Sequence, residues 1–196
     1  VFTDIEAAPL MCAGIIGYRA LRLAKLQDFQ TLGLYGFAAS AHIVIQITRH
    51  LYPHSKIYVF TRSPAHRQLA QELGAVWTGS AADTPPEPIQ AAIDFTPAGH
   101  IVREALRVLQ KGGRLVINAI RKIDPIPELD YAKYLWHEKE VKSVANVTTR
   151  DARDFLPLAA KIPIRPRTTI FQLADANTAL LYLKERKIQG AGVFQF

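Results

Sequence analysis

The stretch Thr31–Arg49, TLGLYG-FAASA-HIVIQITR, joins a short apolar run to a helical pattern through a turn of small residues. A turn of this kind can hold an anion. The first N–H groups of a helix have no partner within it, and its dipole places positive charge at the same end. A dinucleotide fingerprint has the form G-x-G-x-x-G/A. Here the six positions are Gly36-Phe37-Ala38-Ala39-Ser40-Ala41, so only the first glycine is kept. Gly36 allows the tight bend, and Ala41 is small enough for close helix–strand packing. Ala38 directs a Cβ toward space that a phosphate would use, and Ser40 adds a hydroxyl donor. Taken alone, the motif leaves open a tight strand-to-helix turn that binds nothing.

The next apolar run ends in Thr61-Arg62-Ser63, with His66 and Arg67 one helical turn further on. A ribose with a free 2′-hydroxyl is held at this place by an Asp or Glu. No acid is present. A guanidinium flanked by two hydroxyls suits a 2′-phosphate, which predicts NADP in preference to NAD. An exposed arginine at a strand end is the plainer alternative.

The elements that would position these residues follow from the hydrophobic pattern. Leu32–Tyr35, Ile57–Phe60, Ala92–Phe95, Leu115–Ala119 and Val141–Val147 are short, unalternating runs, as expected of strands covered on both faces. Helical stretches Ala39–Leu51, Ala65–Leu73 and His100–Leu109 lie between them. Gly74 reads as the glycine that stops the second helix, and Lys111-Gly112-Gly113 as a turn into the strand that follows. The Pro-rich segment Thr84–Pro88 stands in for a crossover helix, and Asp124–Pro127 reads as a loop. Alternation of this kind predicts an α/β protein with a doubly wound parallel sheet, a Rossmann fold. Two flanks depart from it. Residues Asp4–Leu26 read as a helical lead-in, with Asp4 as N-cap and Pro9 interrupting the first turns. The tail reads as a helix (Asp151–Lys161), a strand (Arg167–Leu173), a helix (Asp175–Lys187) and a strand (Gly192–Phe196). The domain expectation is therefore a lead-in at 1–27, a cofactor domain at 28–148 and, at 149–196, a return segment of an incomplete second domain.

Composition narrows the classes. The chain of 196 residues is 49% hydrophobic and 21% charged, which is globular. No apolar run reaches the length of a membrane span, and Arg19, Arg22 and Lys25 interrupt the first one. The net charge of +7 comes from scattered basic residues, so nucleic acid is not the expected partner. The single Cys12 excludes an internal disulfide and fits a reducing, cytoplasmic setting. The chain opens on Val-Phe-Thr-Asp, and its one methionine is Met11, which reads as a piece of something longer or a trimmed product.

Several phrases, in order, resemble the zinc-type (medium-chain) alcohol dehydrogenase superfamily over nearly the whole chain. Ala7-Ala8-Pro9-Leu10-Met11-Cys12-Ala13-Gly14 with Gly17–Leu21 is similar to the segment leading into that family's cofactor domain. Leu34–Phe37 with Ser40-Ala41-His42 resembles its fingerprint turn, and Ala70–Ala75 the end of its second crossover helix. Lys111–Ile117 resembles the entry to its fifth strand. The tail from Arg150 resembles the return into its catalytic domain. The resemblance implies that Cys12 is a zinc ligand in an intact protein. It further implies that Phe95–Ala98, including Thr96 and Pro97, lie beside the adenosine–nicotinamide crossing of the cofactor, and that Ile117–Ile120, including Asn118, Ala119 and Ile120, lie under the nicotinamide carboxamide.

The family's other zinc ligands lie in an N-terminal catalytic domain that would precede Val1. The six histidines do not supply a set that would replace them. The implied function is NADP(H)-linked alcohol oxidation or aldehyde and ketone reduction. Zinc would act as Lewis acid in the intact enzyme, and this chain alone is expected to be inactive. The alternatives are an inactive nucleotide-binding or assembly module and a zinc-free quinone-type reductase. Apolar faces on the tail are expected to be exposed, and a homo-oligomer is expected to form through the sixth strand.

Overall fold

Thr3, not Asp4, starts the first helix in the computed structural model, which describes residues 1–196. The hydroxyl of Thr3 accepts from the Glu6 N–H, and the Glu6 carboxylate accepts from the Thr3 N–H, a reciprocal capping box. Asp4 instead places its charge in the first turn. Helix α1 (Asp4–Pro9) does not break at Pro9. It passes through a π-helical turn, Leu10–Gly14, into α2 (Ile15–Ala24). A wider turn is how a helix absorbs a proline that cannot donate.

The central sheet comprises β1 (Thr31–Tyr35), β2 (Lys56–Phe60), β3 (Trp77–Gly79), β4 (Ile89–Asp94), β5 (Leu109–Ile117) and β6 (Glu140–Ser143). The order is β3-β2-β1-β4-β5-β6 and every pairing is parallel. Between the strands run α3 (Ala41–Leu51), α4 (Pro64–Glu72), α5 (His100–Val108) and the short α6 (Tyr131–Tyr134). This is the doubly wound Rossmann arrangement. The order jumps from β1 to β4, so the two halves of the sheet meet there.

Strand alternation divides the core into two layers. Leu32, Leu34, Ile57, Val59, Ala91, Ile93 and Val116 join α2, α3 and α7 (Thr149–Lys161) on one face. Tyr58, Phe60, Ala92 and Leu115 meet Ile101, Val102, Ala105 and Leu106 of α5 on the other. The core also explains why the strands lack period-two alternation: both faces are covered.

Several boundaries shift. The structure contains β3, a strand of 3 residues too short to show a pattern in sequence. The glycine pair at Gly112-Gly113 lies inside β5 as an irregularity, the register jumping from Ile89↔Leu109 to Ala91↔Arg114. Gly74 does stop α4: at φ +102° it lets its own N–H reach the Gln71 carbonyl and the Ala75 N–H reach that of Ala70. The sixth strand ends at Ser143 rather than Val147.

The tail divides in two. Helix α7 starts with a capping box at Thr148 and Asp151, and its Phe155 and Ala159 are fully buried in the first core layer. Beyond it, β7 (Thr168–Gln172) pairs in parallel with β8 (Ala191–Gln195), and α8 (Ala176–Lys184) lies between. Here Ile170, Leu180, Leu181, Leu183 and Phe194 are exposed. The expectation of bare apolar faces thus holds for this last unit and fails for α7, whose apolar side packs on α2 and the π-helical turn. No helix is long and apolar enough to cross a membrane.

Candidate cofactor site

The turn after β1 is built from both ends. Gly36 has φ +79°, and its N–H donates to the Phe60 carbonyl at 2.8 Å. A side chain there would be strained, and its Cβ would sit 3.0 Å from Thr96 Cγ2. None of the N–H groups of Phe37, Ala38, Ala39, Ser40 and Ala41 donates to an acceptor within the protein. They precede or begin α3, whose dipole points the same way. Phe37 is buried and anchors the turn in the core, whereas Ala38 is exposed. Close passage of the helices is secured by Gly17 of α2, where a Cβ would come within 2.6 Å of Val44 Cγ2. Ser40 has helical backbone angles and makes no side-chain cap, so its hydroxyl is not committed to the helix end.

His42, one residue into α3, is fully buried. Its Nδ1 lies 3.1 Å from the Ala38 carbonyl, and its Nε2 accepts from the Arg167 N–H at 3.1 Å. The second contact requires an unprotonated Nε2, so the proton sits on Nδ1 and is donated to the turn. Burial pushes the imidazole below its ordinary pKa, against the opposing pull of the Ala38 and Ala39 backbones.

At the end of β2 the expected residues come together, with distinct tasks. The Thr61 N–H donates to Gly79, its hydroxyl accepts from the Ser63 N–H at 3.4 Å, and its carbonyl accepts from Arg67 Nε at 2.9 Å. Ser63 is the N-cap of α4, accepting from the His66 N–H at 3.3 Å, which leaves its O–H free to donate. Arg62 is exposed and forms neither an ion pair nor a hydrogen bond within the protein. His66 is half-buried, and burial lowers its pKa although the Ile188 backbone opposes the shift. Arg67 commits its Nε to the Thr61 carbonyl, whereas Arg62 keeps its whole guanidinium uncommitted.

On the opposite side of the β1/β4 boundary lie Thr96 and Pro97, after β4, and Asn118, Ala119 and Ile120, after β5. The Asn118 N–H donates to the Asp94 carbonyl at 2.8 Å, which prolongs the sheet pairing by one residue. Ile120 is fully exposed. Sequence reasoning missed the pair beneath these loops. Asp94, wholly buried, accepts from Thr96 and from Lys122 Nζ. An acid closing the apolar run IQAAID was the available signal; Lys122 sits in a basic stretch that gave none.

Cys12 lies in the π-helical turn, which packs against α3 and α7, and is exposed. It occupies the middle of a continuous helical run, not a helix N-terminus. No group of three or more His, Cys, Asp or Glu side chains is placed to hold a metal ion.

A parallel doubly wound sheet, a φ-positive glycine after its first strand and a row of free N–H groups at its switch point define a Rossmann module. No family model matches the chain. It is 44% identical over 192 residues to the "Probable alcohol dehydrogenase AdhA" of Mycobacterium tuberculosis, covering 98% of this chain and 55% of that protein. Two solved structures are similar in fold. CAD from Helicobacter pylori, complexed with NADP(H), has a TM-score of 0.85 at 20% identity over 96% of this chain and 54% of its own. Acetophenone reductase from Geotrichum candidum, in complex with NAD, has a TM-score of 0.87 at 16% identity over 100% and 57%. The chain belongs to the alcohol dehydrogenase family, and the fold it shares with these structures is that of their cofactor domain. It spans about half the length of the curated relatives it matches.

Proposed function

We propose that the chain binds a nicotinamide dinucleotide across the β1/β4 crevice, NADP(H) in preference to NAD(H), as the cofactor-carrying part of an alcohol dehydrogenase or aldehyde–ketone reductase. The observation that carries the reading is the row of unpaired N–H groups from Phe37 to Ala41, opposite an unpaired Arg62 and with no acid at the end of β2. The pyrophosphate would take the N–H groups. Arg62 and the hydroxyls of Thr61 and Ser63 would take the 2′-phosphate of the adenosine ribose. The loops at Thr96-Pro97 and Asn118–Ile120 would receive the nicotinamide end and shield it from water. Bound there, the cofactor supplies or accepts hydride.

Cys12 is proposed as one thiolate ligand of a zinc ion whose remaining ligands this chain does not provide. The substrate alcohol or carbonyl compound would meet the nicotinamide at the exposed Ile120 edge. Titration of NADPH and NADH by nicotinamide fluorescence tests the reading. The unsubstituted chain should favour NADPH, and Arg62→Ala should weaken NADPH by about tenfold, one charge-assisted contact to phosphate, while leaving NADH unchanged. A well-folded chain that binds neither cofactor would refute the proposal and favour a module kept for assembly.

A further inference from the structure

Ligands of open α/β sheets bind outside the carboxyl ends of the strands where the strand order reverses. In this sheet that crevice lies between β1 and β4. One wall is the turn Gly36–Ser40 and the other is the loop Phe95–Gly99. They touch at Gly36 and Thr96, where even a methyl group would be tight.

The second wall is held from behind. Asp94 Oδ1 accepts from the Thr96 N–H at 2.8 Å and from its hydroxyl at 2.7 Å. Asp94 Oδ2 accepts from Lys122 Nζ at 2.5 Å, and the same ammonium donates to the carbonyls of Thr96 at 2.8 Å and Ala98 at 3.3 Å. Three acceptors use up its three N–H bonds, so Lys122 has no donor left for a phosphate. Further contacts fasten the same two loops. The Ile123 N–H donates to the Pro97 carbonyl at 2.7 Å, and the Gly99 N–H to Asp124 Oδ2 at 3.0 Å. A Cβ on Gly99 would lie 2.2 Å from the Pro125 carbonyl oxygen, so the two backbones pass at the closest possible approach. A buried ion pair is a weak source of stability compared with apolar residues of like volume. What this one supplies is direction: it fixes where the Thr96–Ala98 backbone stands relative to Gly36.

We propose that Lys122 is a positioning residue. Through Asp94 and the carbonyls of Thr96 and Ala98 it sets the wall against which the nicotinamide half of the dinucleotide is seated. The inference rests on the proposed function. With the adenosine end assigned to Thr61–Ser63 on the β2 side, the other half of the ligand falls on the β4 and β5 side.

The test compares NADPH with 2′-phospho-ADP-ribose, which shares every group except the nicotinamide. Both are titrated into the unsubstituted chain, into Lys122→Met, and into Asp94→Asn/Lys122→Met. The double variant is included because removing Lys122 alone strands a buried carboxylate and can unfold the chain. In the double variant NADPH affinity should fall about tenfold or more, 2′-phospho-ADP-ribose affinity should stay within about twofold, and the nicotinamide emission shift should be lost. Unchanged NADPH affinity overturns the inference, and so does equal weakening of both ligands, which would mark the pair as general support. If the unsubstituted chain binds the two ligands equally, the inference fails while the proposed function stands. If it binds neither, the proposed function fails and takes the inference with it.

Discussion

Removing the carboxylate of Asp151 tests how the lead-in and the tail are tied together. This residue is fully buried at the start of α7. Its Oδ1 accepts from Arg22 at 2.7 Å and its Oδ2 from Arg19 at 2.8 Å, while Oδ2 also takes the Thr148 N–H and hydroxyl. In Asp151→Ala two charge-assisted bonds are lost. They are valued at the low end, about 1.5 kcal/mol each, because the arginine side chains are 26% and 36% exposed and stay partly hydrated. Loss of the capping interaction adds about 1 kcal/mol, for a total of about 4 kcal/mol. For a chain of this size that corresponds to a fall in Tm of about 8–16 °C. Asp151→Asn keeps an acceptor for the Thr148 N–H and should lose about half as much.

Thermal melts followed by circular dichroism provide the measurement. The pH dependence provides a control. Burial alone would raise the Asp151 pKa, but the Thr148 hydrogen bonds and Arg19 outweigh it and hold the carboxyl below the usual range. Its contribution is therefore present above the ordinary carboxylate pKa and is lost as pH falls through the folded value, so parent and Asn variant should converge in acid. An Ala variant melting within about 2 °C of the parent at neutral pH would refute the reasoning, because both arginines would then be as well served by water.

Two other outcomes follow from the fold. His42 is neutral in the folded chain with its pKa below the ordinary 6.5, so the unfolded chain takes up a proton first as pH drops. Urea unfolding should show stability falling as pH drops below 6.5, with His66 adding a slope of the same sign. His42→Gln should flatten that slope, and an unchanged slope would show that the imidazole is not the group titrating. The second outcome concerns the β6 edge, Glu140–Ser143, exposed along its length with Val141 uncovered. We expect a homo-oligomer paired through this edge. Sedimentation at about 100 µM should show it and Val141→Lys should weaken it; a monomer at that concentration would refute the expectation.

How much could be read in advance depended on whether a residue's task is local. Gly36 and Gly74 need positive φ for reasons contained in their own turns, and the structure finds both there. The strands Leu32–Tyr35 and Ile57–Phe60 were legible because burial on both faces leaves an unbroken apolar run. Thr3 was passed over because Asp4 is an equally good cap by type; the deciding partner, Glu6, lies three residues from Thr3 and not from Asp4. Strand β3 was invisible since three residues carry no period. Pairings over long chain distances could not be read, Lys122 with Asp94 and Asp151 with Arg19 among them, even though Asp94 itself stood out as the acid closing its apolar run.

His42 shows why the tail could not be separated from the nucleotide turn by pattern alone. Its place on α3 marks it as an inward-facing position, and a buried histidine reads as core. Yet one ring nitrogen holds the Ala38 carbonyl and the other takes the Arg167 N–H just before β7. With Gln46 bonded to the backbone of Arg165 on both its N–H and carbonyl sides, α3 carries two polar links to the tail. A neutral imidazole with one donor and one acceptor is the only state that satisfies both of its neighbours. The Ala38 carbonyl it engages belongs to the turn whose unpaired N–H groups are those proposed to take the phosphate. The segment that sequence reading assigns to another domain therefore holds the backbone of that turn.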